Sequence, residues 1–89
     1  MKDINITRQN IDSIDKELAR LFQERMNLVK DILEYKINNS LPILDTSREN
    51  EVIEKNLSLV EEEYKEYYKR FIENMLEISK EFQNDLTKK

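Results

Sequence analysis

A long pattern of apolar residues at the start of the chain, broken at a single position, sets what this protein can fold into. The apolar positions recur in alternating steps of three and four, a spacing typical of a helix packed along its whole length. This stripe comprises Ile11, Ile14, Leu18, Leu21, Leu28 and Ile32. The chain contains no glycine, and its one proline lies beyond this segment. We therefore expect one α-helix from about Ile4 to Lys36, capped at its start by Asn5 or Thr7.

A single loop signal follows the first helix and leads into a second. Residues 38–40 and Pro42 favour a turn and prevent the helix from continuing. Thr46 and Glu49 have the spacing of a capping box, which opens a short helix. The inward side of this short helix is predicted to carry Val52, Ile53 and Leu57.

A third helix is predicted for the rest of the chain. Ser58 and Glu61 match a second capping box, and the helical pattern then continues to about Leu86. The aromatic residues in this segment have helical spacing, so we expect packing rather than an aromatic binding platform. The predicted buried side comprises Tyr64, Tyr68, Phe71, Met75, Leu76, Ile78 and Phe82.

The first helix is too long for a compact chain of 89 residues. Residues 4–36 span about 50 Å as a helix, whereas a globule of this size has a diameter of roughly 30 Å. A second copy of the chain can cover the overhanging apolar stripe. We therefore expect an all-α fold, with one very long, one short and one medium helix per chain. We also expect residues 1–89 to form a single domain and two chains to form an intertwined homodimeric bundle.

The composition excludes several classes of function. There is no cysteine and no histidine, which excludes Ser-His and Cys-His nucleophiles and the usual metal sites, so no cofactor or metal is expected. A net charge of -4 with mixed signs disfavours nucleic-acid binding. No segment is apolar enough for a membrane span, and the first residues are not a signal peptide. We expect a cytoplasmic protein that binds neither nucleic acid nor a membrane.

Arg25 interrupts the apolar stripe of the first helix. Lys36 lies eleven residues further on, which places both side chains on the same face of the helix, about 16 Å apart along its axis. The aliphatic residues between them form a partly apolar floor. Two cations at the ends of such a floor suit a small anionic ligand with a hydrophobic body. The alternative is that Arg25 pairs with an interior carboxylate, or reaches the surface, as a register device.

Four further polar residues are candidates for the same site. Arg48 and Glu49 fall in the first turn of the second helix, and Ser79 and Gln83 share one face of the third. Each residue taken alone is typical of a solvated surface. Taken together with Arg25 and Lys36, they could converge on one cavity between three helices.

These residues resemble the AroQ-type, all-helical chorismate mutases across nearly the whole chain. The first helix carries Arg8, the run "IDSID" at 11–15, Glu24-Arg25 and Lys36. The loop then leads through Pro42 to Asp45, Arg48 and Glu49, and the last helix carries Ser79 and Gln83. The resemblance implies the isomerisation of chorismate to prephenate, in the phenylalanine and tyrosine branch of the shikimate pathway.

The resemblance also implies a role for each residue at a matching position. Arg25 and Arg8 would each hold one substrate carboxylate, and Lys36 and Gln83 would donate to the ether oxygen. Glu49 would accept from the ring hydroxyl, helped by the backbone near Asp45 and Arg48. Ser79 would contact a carboxylate, and the ring would be walled by Ile32, Val52 and Leu76. Arg8 lies roughly 25 Å from Arg25 along the helix, so it would come from the other protomer.

Two other functions remain open at this point. Isochorismate-pyruvate lyases share the fold and a similar set of cations, and Glu49 favours the mutase because it suits the chorismate hydroxyl. A non-enzymatic helical dimer or adaptor would instead pair its seam cations with carboxylates and have no cavity. Because the chain ends at Lys89 without a fused enzyme domain, a regulatory fragment of a larger enzyme is not expected.

Overall fold

The computed structural model describes residues 3–88, which fold into three α-helices. Helix α1 spans Ile4–Asn38, α2 spans Thr46–Leu57 and α3 spans Lys65–Thr87. A 3₁₀ turn at Glu62–Tyr64 leads into α3, and no strand occurs within residues 3–88. The all-α class and the order of long, short and medium helices are therefore confirmed. The search of these residues found no helix with the length and apolarity needed to cross a membrane.

Aspartates cap the first two helices. The cap of α1 lies two residues before Asn5 and four before Thr7, the two positions expected. The cap of α2 lies one residue before the expected Thr46. The Asp3 carboxylate accepts from the backbone N–H of Asn5 at 2.8 Å, and the Asp45 carboxylate accepts from that of Arg48 at 3.0 Å. The predicted caps at Asn5, Thr7 and Thr46 are therefore wrong. A carboxylate is the better cap because its charge also favours the positive end of the helix dipole.

The second predicted capping box is also wrong. The Ser58 hydroxyl donates to the Lys55 carbonyl at 2.6 Å, so it closes the end of α2 instead of opening α3. Glu61 precedes the 3₁₀ turn without a side-chain cap bond. Helix α3 consequently begins at Lys65, several residues later than the capping box predicted.

The core of the single chain is small, and α3 packs against both other helices. One residue from each helix forms the buried apolar centre: Leu33, Val52 and Ile72. Ile72 is only 1% exposed but was not among the residues predicted to be buried. The face of α3 that meets the other helices is therefore rotated by one residue from the predicted one.

The other apolar face of α3 is uncovered in the single chain. Tyr64, Phe71 and Ile78, which were predicted to be buried, are 54%, 53% and 44% exposed. Met75, Leu76, Phe82 and Tyr68 are half-buried, as are Ile53 and Leu57 of α2. The prediction for α3 failed because the helix carries two apolar faces, and only one of them meets α1 and α2.

The chain is elongated and leaves much of the α1 stripe in solvent. Its principal extents are 57 × 28 × 15 Å and its radius of gyration is 16.4 Å, against about 12 Å for a compact domain of this length. The six aliphatic residues of the stripe are between 48% and 63% exposed. Such a continuous apolar surface is unusual for a monomer and marks an interaction surface.

A Schellman motif turns the chain at the end of α1. The Leu41 N–H donates to the Lys36 carbonyl at 2.8 Å, and the Ser40 N–H donates to the Ile37 carbonyl at 3.2 Å. This motif needs a left-handed residue, and Ser40 supplies it with φ of +54°. Glycine normally occupies this position because a Cβ atom disfavours positive φ. The chain has no glycine, so Ser40 carries that strain.

Replacing Ser40 with glycine should therefore stabilise the protein. We expect Ser40→Gly to raise the free energy of unfolding by about 0.5–1 kcal/mol, measured by urea denaturation. The matched control is Ser13→Gly inside α1, which should lower it by about 0.5 kcal/mol because glycine disfavours helix interiors. A loss of stability in both variants would contradict the assignment of strain to Ser40.

Candidate active site

An open cavity lies between the three helices. It is surrounded by the C-terminal half of α1, the loop after it, the start of α2 and the end of α3. Its volume is about 370 Å³, which falls within the usual range for small-ligand pockets. Ten residues predicted from the sequence line it: Arg25, Ile32, Lys36, Asp45, Arg48, Glu49, Val52, Leu76, Ser79 and Gln83. Five others complete the lining: Val29, Tyr35, Leu41, Ile43 and Lys80.

Charge, and not volume, distinguishes this cavity from others on the chain. A depression of about 420 Å³ between α1 and α3 has Lys30 as its one charged lining residue. Another of about 430 Å³ is lined by aliphatic and aromatic residues. The candidate site instead has four cationic and two anionic side chains. Its lining is therefore positive within a chain of net charge -4, which favours an anionic ligand.

Arg25 is half-buried in this cavity and is held by a hydroxyl group. Its Nη1 donates to Ser79 Oγ at 2.9 Å, and that hydroxyl donates in turn to the Met75 carbonyl at 3.0 Å. Burial, together with the nearby charge of Arg48, lowers the pKa of Arg25 from its ordinary value. The guanidinium still carries its charge at neutral pH.

No ion pair within residues 3–88 joins Arg25 to a carboxylate. This observation argues against the form of the alternative in which Arg25 pairs with an interior carboxylate. A desolvated cation with only a neutral partner is costly unless an anion reaches it. Arg25 therefore has the environment of an anion-binding residue.

Lys36 lies at the other end of the cavity and is fixed by the loop. Its Nζ donates to the Ile43 carbonyl at 2.7 Å. The Schellman turn makes this contact possible because it directs the chain back across the last turn of α1. Within the described residues Lys36 has no carboxylate partner either, so two of its three ammonium hydrogens are available to a ligand.

Gln83 is the most buried polar residue of the site, at 5% exposed. Its Nε2 donates to the Ser79 carbonyl at 3.2 Å, which leaves one amide hydrogen for another acceptor. Its Oε1 is buried and has no hydrogen-bond partner among the described residues. An unsatisfied buried acceptor costs about 1–3 kcal/mol, and such groups are typical of sites that bind a ligand.

The first turn of α2 supplies an acidic side chain and a structural cation. Arg48 lines the cavity, but its Nη1 is paired with Glu51 at 2.6 Å on the same helix. Asp45 is committed to capping that helix. Glu49 is half-buried, and one of its oxygens lies 3.4 Å from the ammonium of Lys80.

Lys80 is the charged residue of the cavity that sequence reasoning missed. It contacts carboxylates on two helices, Glu49 on α2 and Glu77 on α3. The helical spacing of Leu76, Lys80 and Gln83 was a signal that could have placed Lys80 on the same face. It was overlooked because a lysine beside surface glutamates is usually solvated.

Arg8 is the predicted site residue that a single chain does not bring to the cavity. It lies near the start of α1, and that helix is continuous as far as Arg25 and beyond. The rise over this distance is about 25 Å. Within one chain the two arginines therefore cannot contact the same small ligand, and the contribution of Arg8 from a partner protomer stays a prediction.

Comparison with known families agrees with the fold and the composition of this site. A family model described as chorismate mutase type II matches residues 7–84. Because this match covers most of the chain, the protein belongs to that family. No solved structure matches the chain with statistical significance.

Curated relatives with related sequences come from several microorganisms. A bifunctional chorismate mutase/prephenate dehydratase of Aquifex aeolicus is 44% identical over 64 residues, which is 72% of this chain and 18% of that protein. One from Buchnera aphidicola is 36% identical over 87 residues, 94% of this chain and 22% of that protein. A chorismate mutase of Methanocaldococcus jannaschii is 36% identical over 55 residues, 62% of this chain and 56% of that protein. The chain thus spans about a fifth of the bifunctional relatives.

The environment of Arg25 predicts that its removal leaves the fold intact. Arg25→Met should leave the free energy of unfolding unchanged or raise it by up to about 1 kcal/mol, because a desolvated charge near Arg48 is lost. The control is Leu33→Ala, which should cost about 2–4 kcal/mol by opening a core cavity. Urea unfolding followed by circular dichroism compares the two. If Arg25→Met is as damaging as Leu33→Ala, then Arg25 is a structural residue.

Proposed function

We propose that this protein catalyses the rearrangement of chorismate to prephenate in phenylalanine and tyrosine biosynthesis. The observation that carries the proposal is the pair of cations at the two ends of the cavity. Arg25 and Lys36 both lack a carboxylate partner within the described residues, and Ile32 and Val29 lie on the helix between them. Chorismate is an anion with a hydrophobic ring and an ether oxygen on which negative charge develops. A carboxylate at Arg25 and the ether oxygen at Lys36 would complement this arrangement. The activities for which the relatives are named also support the proposal.

The reaction suits a chain without histidine or cysteine. It is pericyclic: the ether C–O bond breaks as a new C–C bond forms within the same molecule, and no nucleophile or proton transfer is required. The protein must hold a compact conformer of the substrate and stabilise negative charge on the ether oxygen. A millionfold acceleration needs about 8 kcal/mol, which orientation and a few charged contacts can supply.

The proposed contacts follow the geometry of the cavity. Arg25, supported by Ser79, binds one carboxylate of the substrate. Lys36 and the free amide hydrogen of Gln83 donate to the ether oxygen, where charge develops in the transition state. Glu49 accepts from the ring hydroxyl beside the backbone of Asp45 and Arg48. The apolar walls are Ile32, Val52 and Leu76.

We also propose that two chains form an intertwined dimer with shared sites. The exposed stripe of α1 and the exposed face of α3 supply the apolar surface that a second copy would cover. The cavity takes Arg25 from one chain, and the second carboxylate of the substrate would be bound by Arg8 of the other. We propose in addition that the protein is cytoplasmic.

The mutase, the lyase and the adaptor predict different products when chorismate and isochorismate are supplied as substrates. The lyase alternative is disfavoured because Glu49 lines the cavity, where its carboxylate suits the hydroxyl of chorismate. The adaptor alternative is disfavoured by the cavity itself and by the absence of a carboxylate partner for Arg25 in residues 3–88. Chorismate loss is followed in the ultraviolet and the product identified. Isochorismate is supplied in a parallel reaction. Prephenate from chorismate supports the mutase, pyruvate and salicylate from isochorismate support the lyase, and no turnover of either substrate supports the adaptor.

Removing Arg25 should abolish most of the activity without unfolding the protein. We expect Arg25→Ala to lower kcat/KM about a hundredfold or more, because charged hydrogen bonds to a carboxylate are lost. The steady-state assay with chorismate measures this, and circular dichroism checks the helical content. Activity within a fewfold of wild type would mean that another residue anchors the carboxylate.

The shared site predicts complementation between two inactive variants. Arg8→Ala and Arg25→Ala chains are unfolded together in urea and refolded, so that heterodimers form. Each heterodimer has one site with both arginines intact, so about a quarter of wild-type activity should return at equal mixing. Each variant refolded alone is the control. If tagged heterodimers are isolated and remain inactive, the two arginines do not meet in one site.

A further inference from the structure

Lys80 makes an ionic contact that differs from the others on this chain. The other ion pairs within residues 3–88 join residues three or four positions apart, whereas Lys80 also reaches Glu49 on a different helix. The Lys80 and Glu49 side chains are only 26% and 24% exposed. Charge pairs that are partly shielded from water are screened less and hold their geometry better than exposed ones.

The contact leaves one oxygen of Glu49 available. Lys80 lies 3.4 Å from Oε2 of Glu49, and neither carboxylate oxygen accepts a hydrogen bond within the described residues. On its other side, Lys80 contacts the Glu77 carboxylate at 3.1 Å. The ammonium group is thus held between two helices and faces the cavity that also contains Ser79 and Gln83.

We propose that Lys80 is a positioning residue that holds the Glu49 carboxylate in one orientation, so that its free oxygen accepts from the ring hydroxyl of the substrate. This inference rests on the proposed mutase function. The carboxylates of Glu77 and Glu49 raise the pKa of Lys80 above its ordinary value, so the cation persists through the neutral range. Lys80 acts through Glu49 and does not touch the reacting atoms.

The first test separates positioning from a general structural role. The ring hydroxyl lies on the carbon next to the breaking C–O bond, but the hydroxyl bonds themselves neither break nor form. We therefore expect its contact to contribute about equally to the substrate and transition-state complexes. Lys80→Met should therefore raise KM for chorismate about fivefold and change kcat by less than about twofold. Lys80→Arg should keep KM close to the wild-type value, because a guanidinium can contact the carboxylates of both Glu49 and Glu77. The matched control is Lys69→Met, an exposed lysine on the same helix, which should leave both constants unchanged.

A double-mutant cycle shows whether Lys80 acts through Glu49. In a Glu49→Gln background, Lys80→Met should have no further effect on KM, because the carboxylate that it positions is gone. Equal effects of Lys80→Met in both backgrounds would overturn the inference and indicate that Lys80 attracts the dianion by its charge alone. Thermal unfolding of all four proteins identifies a temperature at which each is folded, and the assays are run at that temperature.

The outcomes distinguish this inference from the proposed function. A wild-type protein that does not convert chorismate overturns the proposed function, and this inference with it. An active wild-type protein whose KM is unaffected by Lys80→Met overturns the positioning role alone. A Lys80→Met variant that lowers kcat and leaves KM unchanged also overturns it, because the lost interaction would then be made only in the transition state.

Discussion

The continuity of α1 is the constraint on which the rest of the structure depends. This one helix of 35 residues carries Arg25 and Lys36 on the same face and also the exposed aliphatic stripe. Two cations a fixed distance apart on a rigid helix are positioned more accurately than the same groups on loops. The length that fixes them leaves the N-terminal half without intrachain cover. Site geometry and the need for a partner surface therefore have one cause.

The electrostatics of the cavity follow from placing cations where the chain does not neutralise them. Arg25 is desolvated beside Arg48, and its hydrogen-bond partner is the neutral Ser79 hydroxyl. Lys36 is bonded to a backbone carbonyl. Donors already held in place need little reorganisation when negative charge develops, which is the main electrostatic route to catalysis. An acidic chain can thus carry a local positive site, and its net charge of -4 says little about the ligand.

The sequence predicted the helices and most of the cavity because both depend on periodic spacing. Alternating steps of three and four residues place Arg25 and Lys36 together, and a step of four places Ser79 beside Gln83. Other features depend on choices that spacing leaves open. Asp45 and Thr46 are both good caps, and only the backbone shows which is used. The ion pair of Lys80 with Glu49 joins separate helices, so no local pattern contained it.

The polar groups whose environment is energetically unfavourable in the described residues lie mainly around the cavity. Gln83 Oε1 is buried without a partner in the described residues, and Arg25 is half-buried without a carboxylate. Each lowers the stability of the chain by itself, and natural proteins retain such costs mainly at functional sites. In the proposed complex the ether oxygen of chorismate is an acceptor, so it would meet only the Nε2 hydrogen of Gln83. Oε1 must therefore find a donor elsewhere, and an ordered water or a group of the partner chain could supply it.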